Sequence, residues 1–150
     1  MAQLTEEQLF WSPGPDLNSI AIIVRHLAGN MDSRWTNFLT EDGEKTWRRR
    51  DAEFEPPTDL TGTELMRLWE EGWETVFEAL QSLTAADLEK AVAIRGREHT
   101  VTEAIHRQLS HYGYHIGQIV FIAHMRKGVA WETLSIAKGK SNEYRPGQKD

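Results

Sequence analysis

His111 and His115 are the residues in this chain best placed to do chemistry, because they stand four apart within a long helical pattern. A helix turns by roughly 100° per residue, so the two rings lie about 40° apart and one turn apart on the same face. They can converge on a single ion, and neutral imidazole is a common ligand for zinc, nickel, copper and iron. On the same wheel His106 and His124 point about 140° away from His111, so neither joins the pair. A further histidine, His26, sits alone in the middle of an apolar segment. Its neighbours Ala28 and Gly29 leave room for another helix or a ligand to come close. By spacing alone, the pair reads either as metal ligands or as two core-edge rings hydrogen-bonded to backbone or water. His26 is equally open, as a core-edge residue or a third ligand.

Other chemistries are excluded more firmly. The chain has no cysteine, which removes disulfides, thiolate metal sites and thiol nucleophiles, so any metal must be held by His, Asp or Glu. Tyr112-Gly113-Tyr114 separates the histidine pair, with no glutamate to serve as the general base of a metalloprotease. There is no Gly-x-Ser-x-Gly, no phosphate-binding glycine loop and no Gly-x-Gly-x-x-Gly. The net charge of -6 has the wrong sign for a nucleic-acid binder. No apolar run is long enough to span a bilayer and no secretory signal is visible, so the expectation is a cytoplasmic protein with no nucleic-acid or membrane partner. Arg48-Arg49-Arg50, followed by Asp51, Glu53 and Glu55, reads as a solvated loop.

The elements that must position the histidines are marked by capping signals. Thr5 with Gln8 opens a short helix that stops at Ser12-Pro13-Gly14-Pro15. A second helix is predicted from Asn18 or Ser19 to about Thr40, with Ile20, Val24, Leu27, Met31, Trp35 and Phe38 as its apolar stripe. Residues 44 to 59 read as a long surface connection. Thr61 with Glu64 opens a third helix, and Thr84 with Asp87 a further short turn. Ala91 to Ile94 reads as an extended segment or a small hairpin turning at Gly96. Thr100 with Glu103 opens the fourth helix, which should end near Lys127 at Gly128. Its apolar side is expected at Ile105, Leu109, Ile116, Ile119 and Ala123. The six tryptophans read mostly as core or interface packing. Hydrophobic residues at 39% and charged residues at 27% support one all-α domain over 1–137, followed by a polar tail over 138–150. Three long helices make an open bundle, so a fourth element or a partner subunit is expected to cover the gap.

His26-Leu27-Ala28-Gly29-Asn30, Arg34-Trp35-Thr36, Asp42-Gly43-Glu44-Lys45 and the run from Arg107 to Ile119 resemble the DinB-like superfamily, closest to a branch of small bacterial proteins. The resemblance covers about Leu4 to Lys140. It implies a four-helix bundle, here with a shortened first helix, and a divalent metal on three histidines. One of these comes from the second helix and two from the last, corresponding to His26, His111 and His115. It also implies a homodimer, and an activity like that of relatives that are thiol transferases, a thiol-dependent isomerase or hydrolase-like. The superfamily's name records induction by DNA damage and does not imply DNA binding.

Three protein ligands leave a fourth metal position open, as in catalytic zinc sites. A water or a low-molecular-weight thiol there would lose its proton near neutral pH and attack a small electrophile. Zinc is the default ion, with nickel, iron, copper or manganese as alternatives. Asn30, one turn after His26, and Gln108 and Gln118, near the face of the pair, are candidates to orient the ligand rings or a bound water. Tyr112 is a weaker candidate proton donor. The competing readings are a catalytically silent helical dimer whose metal is structural, and a helical dimer without metal.

Overall fold

The computed structural model describes residues 1–143 and Arg145. Four α-helices and one β-hairpin follow in the order α1 (Glu6–Phe10), α2 (Ile20–Trp35), α3 (Gly62–Gln81), β1 (Ala91–Ile94), β2 (Arg97–Thr100) and α4 (Val101–Lys127). Short 3-10 turns stand at Arg50–Phe54, Ala85–Asp87 and Gly128–Ala130. Thr5, Thr61 and Thr100 each cap a helix N-terminus in a reciprocal capping box, and Ser19 caps α2 by accepting from the Ile22 N–H. Gly128, at φ 59°, ends α4 in the conformation a glycine adopts freely.

α2 is the central element, and α1, α3, α4 and the Arg50–Phe54 turn all pack against it. Ile20, Ile23, Val24, Leu27 and Met31 are almost wholly buried, joined by Leu65 and Val76 of α3 and Tyr112, Ile119 and Ile122 of α4. Gly72 lets α3 come close to α2: a Cβ there would lie 2.9 Å from the Met31 sulfur and 3.3 Å from the Ala28 Cα. A smaller cluster of Val92, Ile94, Val101 and Ala104 seats the hairpin against the start of α4. The closed four-helix bundle expected from the sequence is not formed in clean shape. Among the described residues only three helices are long, since the Ser12–Pro15 turn stops α1 after five residues, and the two-stranded sheet adds an element that a strictly all-α description omits.

Two further expectations are corrected. α2 ends at Trp35 rather than near Thr40, because Thr36 is extended and Asn37 takes a left-handed φ of 52°; Phe38 still packs on the Trp35 ring, 4.8 Å between centroids. On α4, Leu109 and Ile116 face outward, and Tyr112, His115 and Ile122 hold the buried side instead. Trp47 is exposed, whereas Trp35 is buried and Trp11, Trp69, Trp73 and Trp131 pack against the core. The polar tail is exposed at 138–143 and at Arg145, and Tyr144 and 146–150 lie outside the described residues. Among the described residues no helix is long and apolar enough to cross a membrane.

The hairpin turns through Arg95 and Gly96, both at positive φ, as a type I′ turn requires. Asp42 fastens this turn to the loop after α2 by accepting the backbone N–H groups of Arg95, Gly96 and Glu44. Burial opposes its ionisation, but those bonds outweigh it and hold the carboxyl below its usual 3.8. Its stabilisation is therefore complete above about pH 3.8 and is lost as the pH falls through the lower folded value. Asp42→Asn should cost about 1–2 kcal/mol at neutral pH by urea unfolding, and the two proteins should converge in acid.

Candidate metal centre

α2 brings one imidazole and α4 brings two to the same point. Nε2 of His26 lies 3.2 Å from Nε2 of His111, across 85 residues of sequence. The ring centroids of His26, His111 and His115 are 4.6 to 5.3 Å apart. One ligand atom from each of the three lies within 4.8 Å of the others. His26 and His115 are buried and His111 is half-buried. His106 is exposed, His124 stacks on Trp131, and His99 pairs with Val92 in the hairpin, so none of these joins the cluster.

Two of the rings are held from behind. His26 Nδ1–H donates to Glu53 Oε2 at 2.9 Å, and His115 Nδ1–H donates to Gln118 Oε1 at 2.8 Å. Because a carboxylate and a carboxamide oxygen can only accept, both rings carry a proton on Nδ1, so Nε2 is the atom that each turns toward the cluster and, in the neutral ring, offers to a metal. Gln118 is itself anchored by donating from Nε2 to the Tyr114 hydroxyl. The Nδ1 of His111 is buried without a partner among the described residues.

Glu53 and its partners come from the stretch that reads as a solvated loop. Arg48 donates to both oxygens of Glu53 at 2.8 Å, and its side chain is only 2% exposed. Phe54, next in the same 3-10 turn, lays its ring 4.7 Å from that of His26. Burial works against the charge on Glu53, but the bonds from Arg48 and His26 prevail and keep its carboxyl below the ordinary glutamate value. No local signal marks Glu53, whose place depends on Gly29: a Cβ there would lie 2.5 Å from Glu53 Oε1. Gly29→Ala should displace the carboxylate and lower metal affinity by about tenfold. Alanine also favours the helix by about 1 kcal/mol. Glu53 Oε1 also accepts from the buried Arg48, so disturbing that pair outweighs the helix gain, and a fall in both melting temperature and zinc affinity is the expected result.

The donor set fits a divalent ion. Burial, reinforced by the charges of His115, His26, Arg48 and Arg34, pushes the His111 pKa down to about 4. Burial lowers that of His115 as well, against the Gln118 hydrogen bond. Both rings are therefore neutral at pH 7, the form that binds a metal. The 3.2 Å between the two Nε2 atoms is close to the ligand–ligand edge of about 3.3 Å that zinc–nitrogen bonds of about 2.0–2.1 Å give in a tetrahedron.

Beside the cluster lies a cavity of about 320 Å³ walled in part by His26 and His111. Asn30 and Gln108 are buried and line it without bonding a ligand ring, whereas Gln118 bonds the His115 ring. Tyr112 is not at the cavity. Its hydroxyl accepts from Trp35 Nε1–H at 2.7 Å in the core, and burial drives its pKa upward, which ends its candidacy as a proton donor.

A family-level sequence profile described as "Protein of unknown function (DUF1572)" matches residues 1–140, nearly the whole chain. The chain belongs to the DUF1572 family. Comparison with curated proteins and with solved structures gave no match. The matched span of the DUF1572 chain contains His26, His111 and His115 together with Glu53 and Gln118, so the cluster and the groups behind it all lie within the family domain.

Proposed function

We propose that the chain is a divalent-metal-binding protein of the DinB-like type, with His26, His111 and His115 as ligands, and that it is a metal-dependent enzyme acting on a small molecule. One observation carries this reading: three imidazoles meet beside an open cavity that two of them, His26 and His111, help to wall, with no fourth His, Asp or Glu in the cluster among the described residues. Structural zinc sites are closed by a fourth protein ligand, whereas catalytic sites keep a position free. Zinc is the default ion; nickel, iron and manganese suit the same donors. When bound, the ion would supply Lewis acidity to a thiol or water brought to its open position, the chemistry of a thiol transferase-like or hydrolase-like enzyme.

The chain's own residues do the rest. Glu53 and Gln118 fix the His26 and His115 rings, and Phe54 covers the His26 ring. Asn30 and Gln108 present amide groups to whatever enters the cavity.

The reading includes a homodimer. Leu109, Gly113, Ile116 and Val120 fall within an arc of about 60° on the outer face of α4. Leu109 is 67% exposed, and a Cβ added at Gly113 would meet open space. An uncovered apolar stripe with a glycine at its centre suits close approach by a second copy of α4.

Elemental analysis of the purified chain, with thiol-transfer and hydrolysis assays before and after chelation, tests the proposal. The expected result is about one divalent ion per chain and turnover that disappears with the ion. Stoichiometric metal without metal-dependent turnover would instead make the protein a catalytically silent dimer with a structural ion. Less than about 0.1 ion per chain would overturn the metal reading altogether.

A further inference from the structure

The cavity beside the histidines is lined by five of the chain's eleven arginines: Arg34, Arg48, Arg50, Arg95 and Arg107. Among the described residues no carboxylate lines it. This concentration of positive charge occurs in a protein whose net charge is -6. Internal pairing does not consume it. Arg34 and Arg95 share the single carboxylate of Glu44, at 3.0 and 2.8 Å. Arg48 is matched by Glu53, which also serves His26. The carboxylate of Asp51 stands 3.8 Å from Arg50 and is fully exposed. Arg107 makes no hydrogen bond or ion pair with any described residue. Two buried polar atoms of lining residues, Arg34 Nε and Asn30 Oδ1, also lack a partner among the described residues.

We infer that this cavity binds the oxyanion of a small-molecule ligand, a carboxylate or a phosphate, through Arg50, Arg107 and their neighbours, with the ligand's reacting end toward the three histidines. The inference deepens the metal-dependent reading above and rests on it for the reacting end; the anion site itself stands on the guanidinium groups. Guanidinium is the side chain best matched to oxyanions, since its planar fork gives two parallel charge-assisted bonds. A volume of about 320 Å³ is at the lower end of small-molecule sites, so the ligand is small. Asn30 Oδ1 is an acceptor, which favours a hydroxyl or amine on the ligand near its anionic group. Arg95 and Arg107 also line a second concavity with Arg97 and His99, so the cationic surface continues outward between the hairpin and α4. Such a funnel raises the local concentration of anions despite the negative net charge.

The test is calorimetric titration of the zinc-loaded chain at fixed ionic strength with inorganic phosphate, with succinate, and with succinamide as the uncharged control. At least one anion should show a single saturable site, and succinamide should show none. The better-bound anion identifies the group as phosphate or carboxylate. Arg50 and Arg107 are exposed, so the double variant Arg50→Gln/Arg107→Gln should fold normally. It should bind the anion at least about tenfold more weakly, the loss expected for charge-assisted hydrogen bonds, while its zinc content stays the same. Absence of a site for either anion, equal binding of succinamide, or affinity unchanged in the double variant would overturn the inference and leave the metal reading intact. Anion binding of the expected kind in a chain that takes up no zinc would sink the metal reading and leave the anion site standing.

Discussion

His115→Ala should abolish the stoichiometric metal binding proposed for the three histidines. His115 is buried on α4 and is one of the three histidines that form the cluster among the described residues. Loss of a group that merely orients a ligand typically costs about 10–100-fold in metal affinity, and loss of the ligand itself should cost more. The readout is elemental analysis together with the thermal shift on adding zinc. A ligand at a hundred times its dissociation constant stabilises a fold by about 2.7 kcal/mol. For a domain of this length that is a rise of roughly 5–10 °C. The parent protein should show that rise, and the variant should show almost none. His106→Ala is the matched control, because His106 lies exposed on the same helix outside the cluster. Equal zinc-induced stabilisation of parent and His115→Ala would count decisively against the three-histidine site.

Glu53→Gln should harm the protein twice, and the two effects can be separated. The carboxylate accepts from His26 Nδ1 and from Arg48, whose guanidinium is almost fully buried. A carboxamide still offers His26 one oxygen, but its NH2 faces a donor-only guanidinium. Breaking a buried pair by removing one partner costs about 3–5 kcal/mol, because the remaining charge is uncompensated. In a domain of this length the melting temperature should fall by about 10 °C. The second effect is on the metal, with affinity dropping about 10–100-fold as the His26 ring loses its anionic support. The double variant Glu53→Gln/Arg48→Met distinguishes them. Removing the stranded charge should restore most of the stability, since apolar replacement of buried ion pairs is often tolerated. Zinc affinity should stay low, because His26 still lacks its carboxylate. Recovery of both would mean that Glu53 acts only as the partner of Arg48.

The helices were legible wherever the signal was local. Thr61 with Glu64 and Thr100 with Glu103 form the reciprocal caps that their spacing predicts, and Gly128 ends α4 where a C-terminal glycine belongs. The end of α2 was less legible, because its apolar stripe continues to Phe38 although the chain leaves the helix at Thr36. Phe38 is apolar because it packs on Trp35 from the following turn, so periodicity extended the helix too far. On α4 the two faces are both rich in apolar residues. Leu109 and Ile116 could not be told from core positions until α2 was seen to pack on the face of Gln108, Tyr112, His115 and Ile119.

The same division runs through the site. Sequence alone determined that His111 and His115 share a helix face, because a helix has a fixed pitch and four residues return almost to the same side. It also showed small residues at Ala28 and Gly29, and these are where α3 and Glu53 come close. Only the tertiary structure decided that His26 meets the pair, that Glu53 lies 2.9 Å behind it across 27 residues, and that five arginines surround one cavity. Side chains that far apart along the chain have no periodic relation. Their meeting is set by how α2 packs on α4 and by where a surface connection folds back over α2, and composition read such arginines and glutamates as solvent-facing until burial paired them.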